Sequence, residues 1–163
     1  MKVKIKQEEL QSFHLSWACI QPMLHSVRGK DRSTKLELYN QLNEGQKGLF
    51  LFYSFHNHTK TLEEFYWFSD YNINELQSWD GIKNGVLYFQ DVQMANVLDE
   101  IKLLIEKQNI LGRKINPSDM KYDQELFGDI SKLYSRYNGC SRCTIIKMNE
   151  WINNNKDDFI EIE

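Results

Sequence analysis

The sequence predicts a mainly all-α, single-domain bundle of six or seven helices, and three observations carry that expectation. Apolar residues recur at three- and four-residue steps through most of the chain, the spacing that places them on one helical face. Proline is scarce at 2 and glycine modest at 8 in 163 residues, whereas an all-β domain needs turn residues about every 8–12 positions. The 9 Phe, 8 Tyr and 4 Trp supply a large core, since each buried ring removes roughly 150–250 Å² from water. A chain of this length fits one domain.

The two ends read differently from everything between them. "KVKIK" and "FIEIE" alternate apolar and charged residues, so a small two-stranded ribbon is expected to tie the termini together, with Lys2, Lys4 and Lys6 opposite Glu161 and Glu163. Leu10, Phe13, Trp17, Ile20 and Leu24 then share one helical face, with a kink or early stop expected at Pro22. After "RGKDRS", Ser33 is the expected cap of a helix carrying Leu36, Tyr39 and Leu42. "NEGQKG" reads as a soft spot. The apolar run "LFLFYSF" that follows reads as a central helix buried all round. In "TLEEFYWF", Thr61 and Glu64 have the spacing of a capping box. The tract 74–90 is interrupted by Gly81 and Gly85 and gives no clear periodicity. From Asp91, the stripe Met94, Val97, Leu98, Ile101, Leu104 and Ile105 predicts a helix to about Gln108. Asn116 and Pro117 are the expected start of the next helix, with Leu126, Phe127, Ile130, Leu133, Tyr134 and Tyr137 on one face and Asn138–Gly139 as its end. A last helix is expected from about Ser141 to Asn153, with Ile145, Met148, Trp151 and Ile152 inward.

Composition narrows the field of functions. No apolar run reaches the ~18 residues of a membrane span. The N-terminus has basic residues without an apolar stretch behind them, so no signal peptide is expected. Three cysteines do not make a disulfide framework, and a reducing, cytoplasmic setting is the expectation. The net charge is −3 and unevenly spread. Between residues 61 and 100, Glu63, Glu64, Asp70, Glu75, Asp80, Asp91, Asp99 and Glu100 face Lys83 alone. No concentrated basic stripe is present beyond a short N-terminal cluster, so direct nucleic-acid binding is not expected.

The tracts "YNQLNEGQKGLFLFYSF" and "KYDQELFGDISKLYSRY", the helix 91–108 and the closing "MNEWINNNKDDF" resemble the DNA-mimic-protein domain family, a group of all-helical bacterial proteins. The resemblance covers roughly Ser33 to Phe159. It departs at the family's asparagine–glycine–glycine–phenylalanine motif, for which "FHNHTKTLEEFYWF" offers only Asn57 and the aromatics. What it implies is a binding protein whose acidic surface occupies a DNA-binding partner, without catalysis.

Among chemical motifs, "YNGCSRCTII" is the first to weigh. Cys140 and Cys143 at i and i+3 would share a helical face, but structural zinc takes about four ligands. His56 and His58 would complete the set only from an extended segment, because alternate residues on a helix point about 200° apart. A redox pair is the second reading, since the thiols stand at the expected start of the last helix and a thiol pKa falls there. The thioredoxin arrangement, however, puts a strand before that helix, and here a helix precedes it. The plain alternative is two small apolar residues. "HNH" at His56–His58 lacks the strands of a nuclease unit. Asp70, Asn72 and Asn74 start like a calcium loop, but Glu75 and Gly81 stand where glycine and a bidentate glutamate belong. No phosphate loop, nucleophile elbow or His-Glu-x-x-His is present.

These considerations lead to a non-catalytic module that engages a basic protein partner, DNA-mimic or immunity-like in class. Exposed rings among carboxylates suit such a partner, since rings anchor and opposite charge speeds encounter. The candidate partner-binding residues are Glu63, Glu64, Tyr66, Trp67, Asp70, Glu75, Asp80 and Asp91. No cofactor, metal, membrane or catalytic residue is expected. The alternative is a small metal- or thiol-dependent enzyme using Cys140 and Cys143.

Overall fold

A computed structural model describes residues 1–112 and 116–163. Among the described residues the chain forms eight α-helices and one two-stranded sheet: β1 (Val3–Ile5), α1 (Leu15–Ser26), α2 (Arg32–Gln41), α3 (Glu44–His56), α4 (Leu62–Asp70), α5 (Trp79–Tyr88), α6 (Val92–Ile110), α7 (Gln124–Asn154), α8 (Lys156–Phe159) and β2 (Ile160–Ile162). The mainly all-α expectation holds. The ribbon also forms: β1 and β2 pair in parallel, with Val3 opposite Ile160, Lys4 opposite Glu161 and Ile5 opposite Ile162. Its charged partners are exposed, with Lys4 Nζ 3.8 Å from Glu163, so buried Ile5 and Ile160 contribute more than the ion pair.

α3 is the central element. The supposed soft spot "NEGQKG" is its capped start: the Asn43 side chain accepts from the Gln46 N–H at 2.8 Å, and Gln46 Oε1 accepts from the Asn43 N–H at 3.2 Å. Its glycines are there for closeness. A Cβ on Gly85 of α5 would sit 2.7 Å from the Gly48 Cα, so the two helices cross backbone to backbone. Leu49, Phe50, Phe52, Tyr53 and Phe55 are all buried. Phe55 meets Trp79 of α5 edge-on at 5.0 Å and Tyr137 of α7 at 5.5 Å, so three helices converge on one ring. The unclear tract 74–90 resolves into a π-type turn, Tyr71–Glu75, and α5.

Several boundaries differ from expectation, each for a visible reason. The first helical face is split: Gln7–Gln11 is a 3₁₀ turn, and α1 starts only at Leu15 and runs through Pro22 to Ser26, leaving Phe13 exposed. The N-terminus of α1 is closed from far away. Asn149 Oδ1 of α7 accepts from the Ser16 N–H at 2.8 Å, and its Nδ2 donates to the Phe13 carbonyl at 2.8 Å. Asp31, not Ser33, caps α2 by accepting from the Thr34 N–H at 2.8 Å. Leu36 is exposed, and Leu42, just past the end of α2, is the buried one. Asn116 and Pro117 open a 3₁₀ turn, Pro117–Tyr122, and the true helix starts after Asp123, whose side chain accepts from the Leu126 N–H at 3.0 Å. Asn138–Gly139 ends nothing. α7 continues through both for 31 residues, because Gly139 keeps a helical backbone, and the helix buries Tyr137, Cys140, Thr144 and Met148 on one stripe. No helix among the described residues is long and apolar enough to cross a membrane.

Candidate functional site

The acidic middle of the sequence divides in space into two populations. The first is neutralised. Asp80 pairs with Lys102 of α6 at 2.8 Å, Asp99 with Lys83 of α5 at 2.7 Å, and Glu100 with the guanidinium of Arg136 of α7. Hydrogen bonding to Arg136 holds the Glu100 carboxyl below its ordinary pKa. Asp91 does not belong to a surface at all. It is 2% exposed, caps α6 through the Met94 N–H, accepts from the Thr144 hydroxyl at 2.7 Å and pairs with Lys147 at 2.9 Å. Asp91 is therefore a tie between α6 and α7, and the expectation that it contacts a partner is corrected.

The second population stands on α4. Thr61 caps this helix by accepting from the Glu64 N–H at 3.2 Å. The reciprocal arm of the box is shifted by one residue, with Glu64 Oε2 accepting from the Lys60 N–H at 3.1 Å. Of the four successive rings "FYWF", Phe65 and Tyr66 face inward. Tyr66 is 3% exposed, and burial raises its pKa, with the nearby Asp70 and Asp123 charges adding to the effect. Tyr66 is thus a core residue, and its expected role as a partner contact is also corrected. Trp67 is 44% exposed. Its ring stacks on Tyr71 one turn on, centroids 5.0 Å apart and planes 12° from parallel, and meets the edge of Phe68 at 4.6 Å. Phe68 in turn stacks on His58 at 4.3 Å. Steps of three and four put Glu63, Trp67, Asp70, Tyr71 and Asn74 on one outward face.

Glu63 and Glu64 are exposed and Asp70 is partly exposed. No Lys or Arg among the described residues lies within ion-pair distance of these three carboxylates, in contrast to Asp80, Asp91, Asp99 and Glu100. Asp70 accepts from Asn74 Nδ2 at 2.7 Å, and Asn74 exchanges side-chain hydrogen bonds with Asn109 of α6. That exchange sets the end of α6, with its exposed Ile110 and Leu111, beside this face. The π-type turn that extends α4 is closed by the Leu76 N–H donating to the Tyr71 carbonyl, and exposed Glu75 lies at its end. Asn72 turns inward and donates to the Phe68 carbonyl at 2.7 Å, so Asp70, Asn72 and Asn74 do not converge as calcium ligands. Sequence reasoning missed Tyr71. Its i+4 relation to Trp67 was the available signal.

The cysteine and histidine candidates lie elsewhere. Cys140 and Cys143 sit in the middle of α7, not at a helix N-terminus. Cys140 is buried and Cys143 exposed, and burial raises the Cys140 thiol, the opposite of the shift a reactive thiolate needs. His56 is the last residue of α3, stacked on Phe52 with Nδ1 2.9 Å from the Tyr137 hydroxyl. His58 is on Phe68, so the two rings serve different neighbours. Among the described residues no group of three or more His, Cys, Asp or Glu is arranged to hold a metal ion.

Comparison with family models, with curated proteins and with solved structures returned no match. The resemblance to DNA-mimic proteins therefore rests on the quoted residues alone.

Proposed function

We propose that this chain is a non-catalytic protein-binding module that engages a basic protein partner through the outward face of α4. A DNA-mimic or immunity-type role is its concrete form. One observation carries the reading: the exposed Trp67, stacked on the half-buried Tyr71, is rimmed by Glu63, Glu64 and Asp70, carboxylates that no cation among the described residues neutralises. A ring held by packing loses little entropy on binding. An aromatic centre inside a polar, charged rim is the usual anatomy of a recognition surface.

The test is capture of partners from a native lysate at rising salt, with the wild-type chain and with Glu63→Gln/Glu64→Gln/Asp70→Asn. The partner should be basic, should be released as ionic strength passes about 0.1 M, where exposed charges are screened beyond about 10 Å, and should be lost in the triple variant. Absence of any partner, or capture indifferent to both salt and variant, overturns the reading.

A further inference from the structure

We infer that the α4 face seats an arginine side chain of its basic partner, between the Glu63 carboxylate and the open face of the Trp67 indole. The inference rests on the binding role proposed above and names the group that is recognised.

The Trp67 ring has two faces. Tyr71, one turn towards the C-terminus, covers one of them at 5.0 Å and nearly parallel, and Phe68 closes on the ring edge at 78°. Long side chains on a helix lean back over the turn that precedes them. Tyr71 accordingly leans on Trp67, and Trp67 leans towards Glu63, four residues earlier on the same face. Among the described residues no second ring and no cation stacks on the partly exposed indole, and the exposed Glu63 stands one turn before it on the same face. A planar cation fits that slot better than a point charge does. A guanidinium stacks on the indole through its weakly hydrated face and directs its N–H fork at a carboxylate, whereas an ammonium keeps its water and has no plane to stack. Glu64 and Asp70 flank the slot and add attraction without geometry.

The test compares an arginine octapeptide with a lysine octapeptide of equal charge, titrated into the intact protein and followed by tryptophan emission and by calorimetry. The arginine peptide should bind about tenfold more tightly. Trp67→Leu should remove that preference and leave only a weak, salt-sensitive attraction shared by both peptides. Glu63→Gln should weaken the arginine peptide more than the lysine peptide. Both positions are exposed, so circular dichroism of the variants should be unchanged. Equal affinity for the two peptides, or a preference retained in Trp67→Leu, overturns the arginine seat. So does a Trp67-dependent dimer in sedimentation that competes with the peptides, since the occupant would then be a second copy. If the peptides are not distinguished but the captured partner is still lost in the triple carboxylate variant, the seat fails and the binding role stands. If neither peptide nor partner binds, both fail.

Discussion

His56 is partly a core residue, and its titration should be visible in the stability of the whole chain. Its ring is stacked on Phe52 and touches the buried Tyr137 hydroxyl, and burial lowers its pKa from the ordinary 6.5. Below the ordinary value the unfolded chain takes up a proton that the folded chain refuses, so stability falls as pH drops through that window. Denaturant midpoints should decline from about pH 7 to about pH 5, and His56→Gln should decline less, because it keeps a polar partner for Tyr137 without the imidazole. An identical decline in both proteins would count against a buried neutral His56. Asp91 makes a second case at this scale. Three groups converge on its carboxylate, and removing it uncaps α6, takes the ion pair from Lys147 and leaves the Thr144 hydroxyl only the Cys140 carbonyl. Asp91→Ala should cost about 3 kcal/mol in urea denaturation, and Asp91→Asn about half as much, since an amide oxygen still caps. From the chain alone Asp91 reads as one acid among eight. Its burial is set by Thr144 and Lys147, more than fifty residues away, which no local pattern discloses.

Helices here are legible where the signal is periodic and misread where a distant residue or a close approach decides. The stripe of α6 and the apolar run of α3 show in the sequence because burial imposes their spacing. The start of α1 does not, because its cap is Asn149 on α7. Glycine is the most instructive error. Gly139 looks like a helix end, yet it lies in mid-helix with nothing within 4 Å of the place a methyl group would take, whereas Gly85 and Gly48 look like interruptions and are the crossing point of α3 and α5. A residue without a side chain either ends a helix or lets another come near, and the letter alone does not distinguish the two. Gly139→Ala should therefore stabilise the protein by up to about 1 kcal/mol, through helix propensity. Gly85→Ala drives a methyl into the Gly48 backbone and should destabilise by about 1–3 kcal/mol. Thermal denaturation of the two variants tests the pair, and a shift of the same sign in both would contradict the packing described for this crossing.

On the scale of the molecule, the same long-range pairing separates the legible from the illegible part of the candidate site. Counting charge along the chain finds the acidic middle. It does not find that Lys102, Lys147 and Arg136, all from the later part of the chain, return to neutralise Asp80, Asp91 and Glu100. What survives is the smaller α4 face, whose Trp67 is legible as an aromatic in a polar setting. The termini are legible for a different reason: their alternation and opposite charge suit each other only, and nothing between them alternates. Their union closes the longest loop in the protein, and it brings Phe159, fully buried, against α3, where its ring fills the space beside Gly45. Closing such a loop is entropically unfavourable until the helices between the ends have packed, so the ribbon and Phe159 should join after the rate-limiting step. Phe159→Ala should then cost about 3–5 kcal/mol, and the loss should fall on the unfolding rate while the folding rate changes little. Stopped-flow folding and unfolding of this one variant decides the matter. A slowed folding arm with an unchanged unfolding arm would mean that the chain ends meet early and that the bundle is built around them.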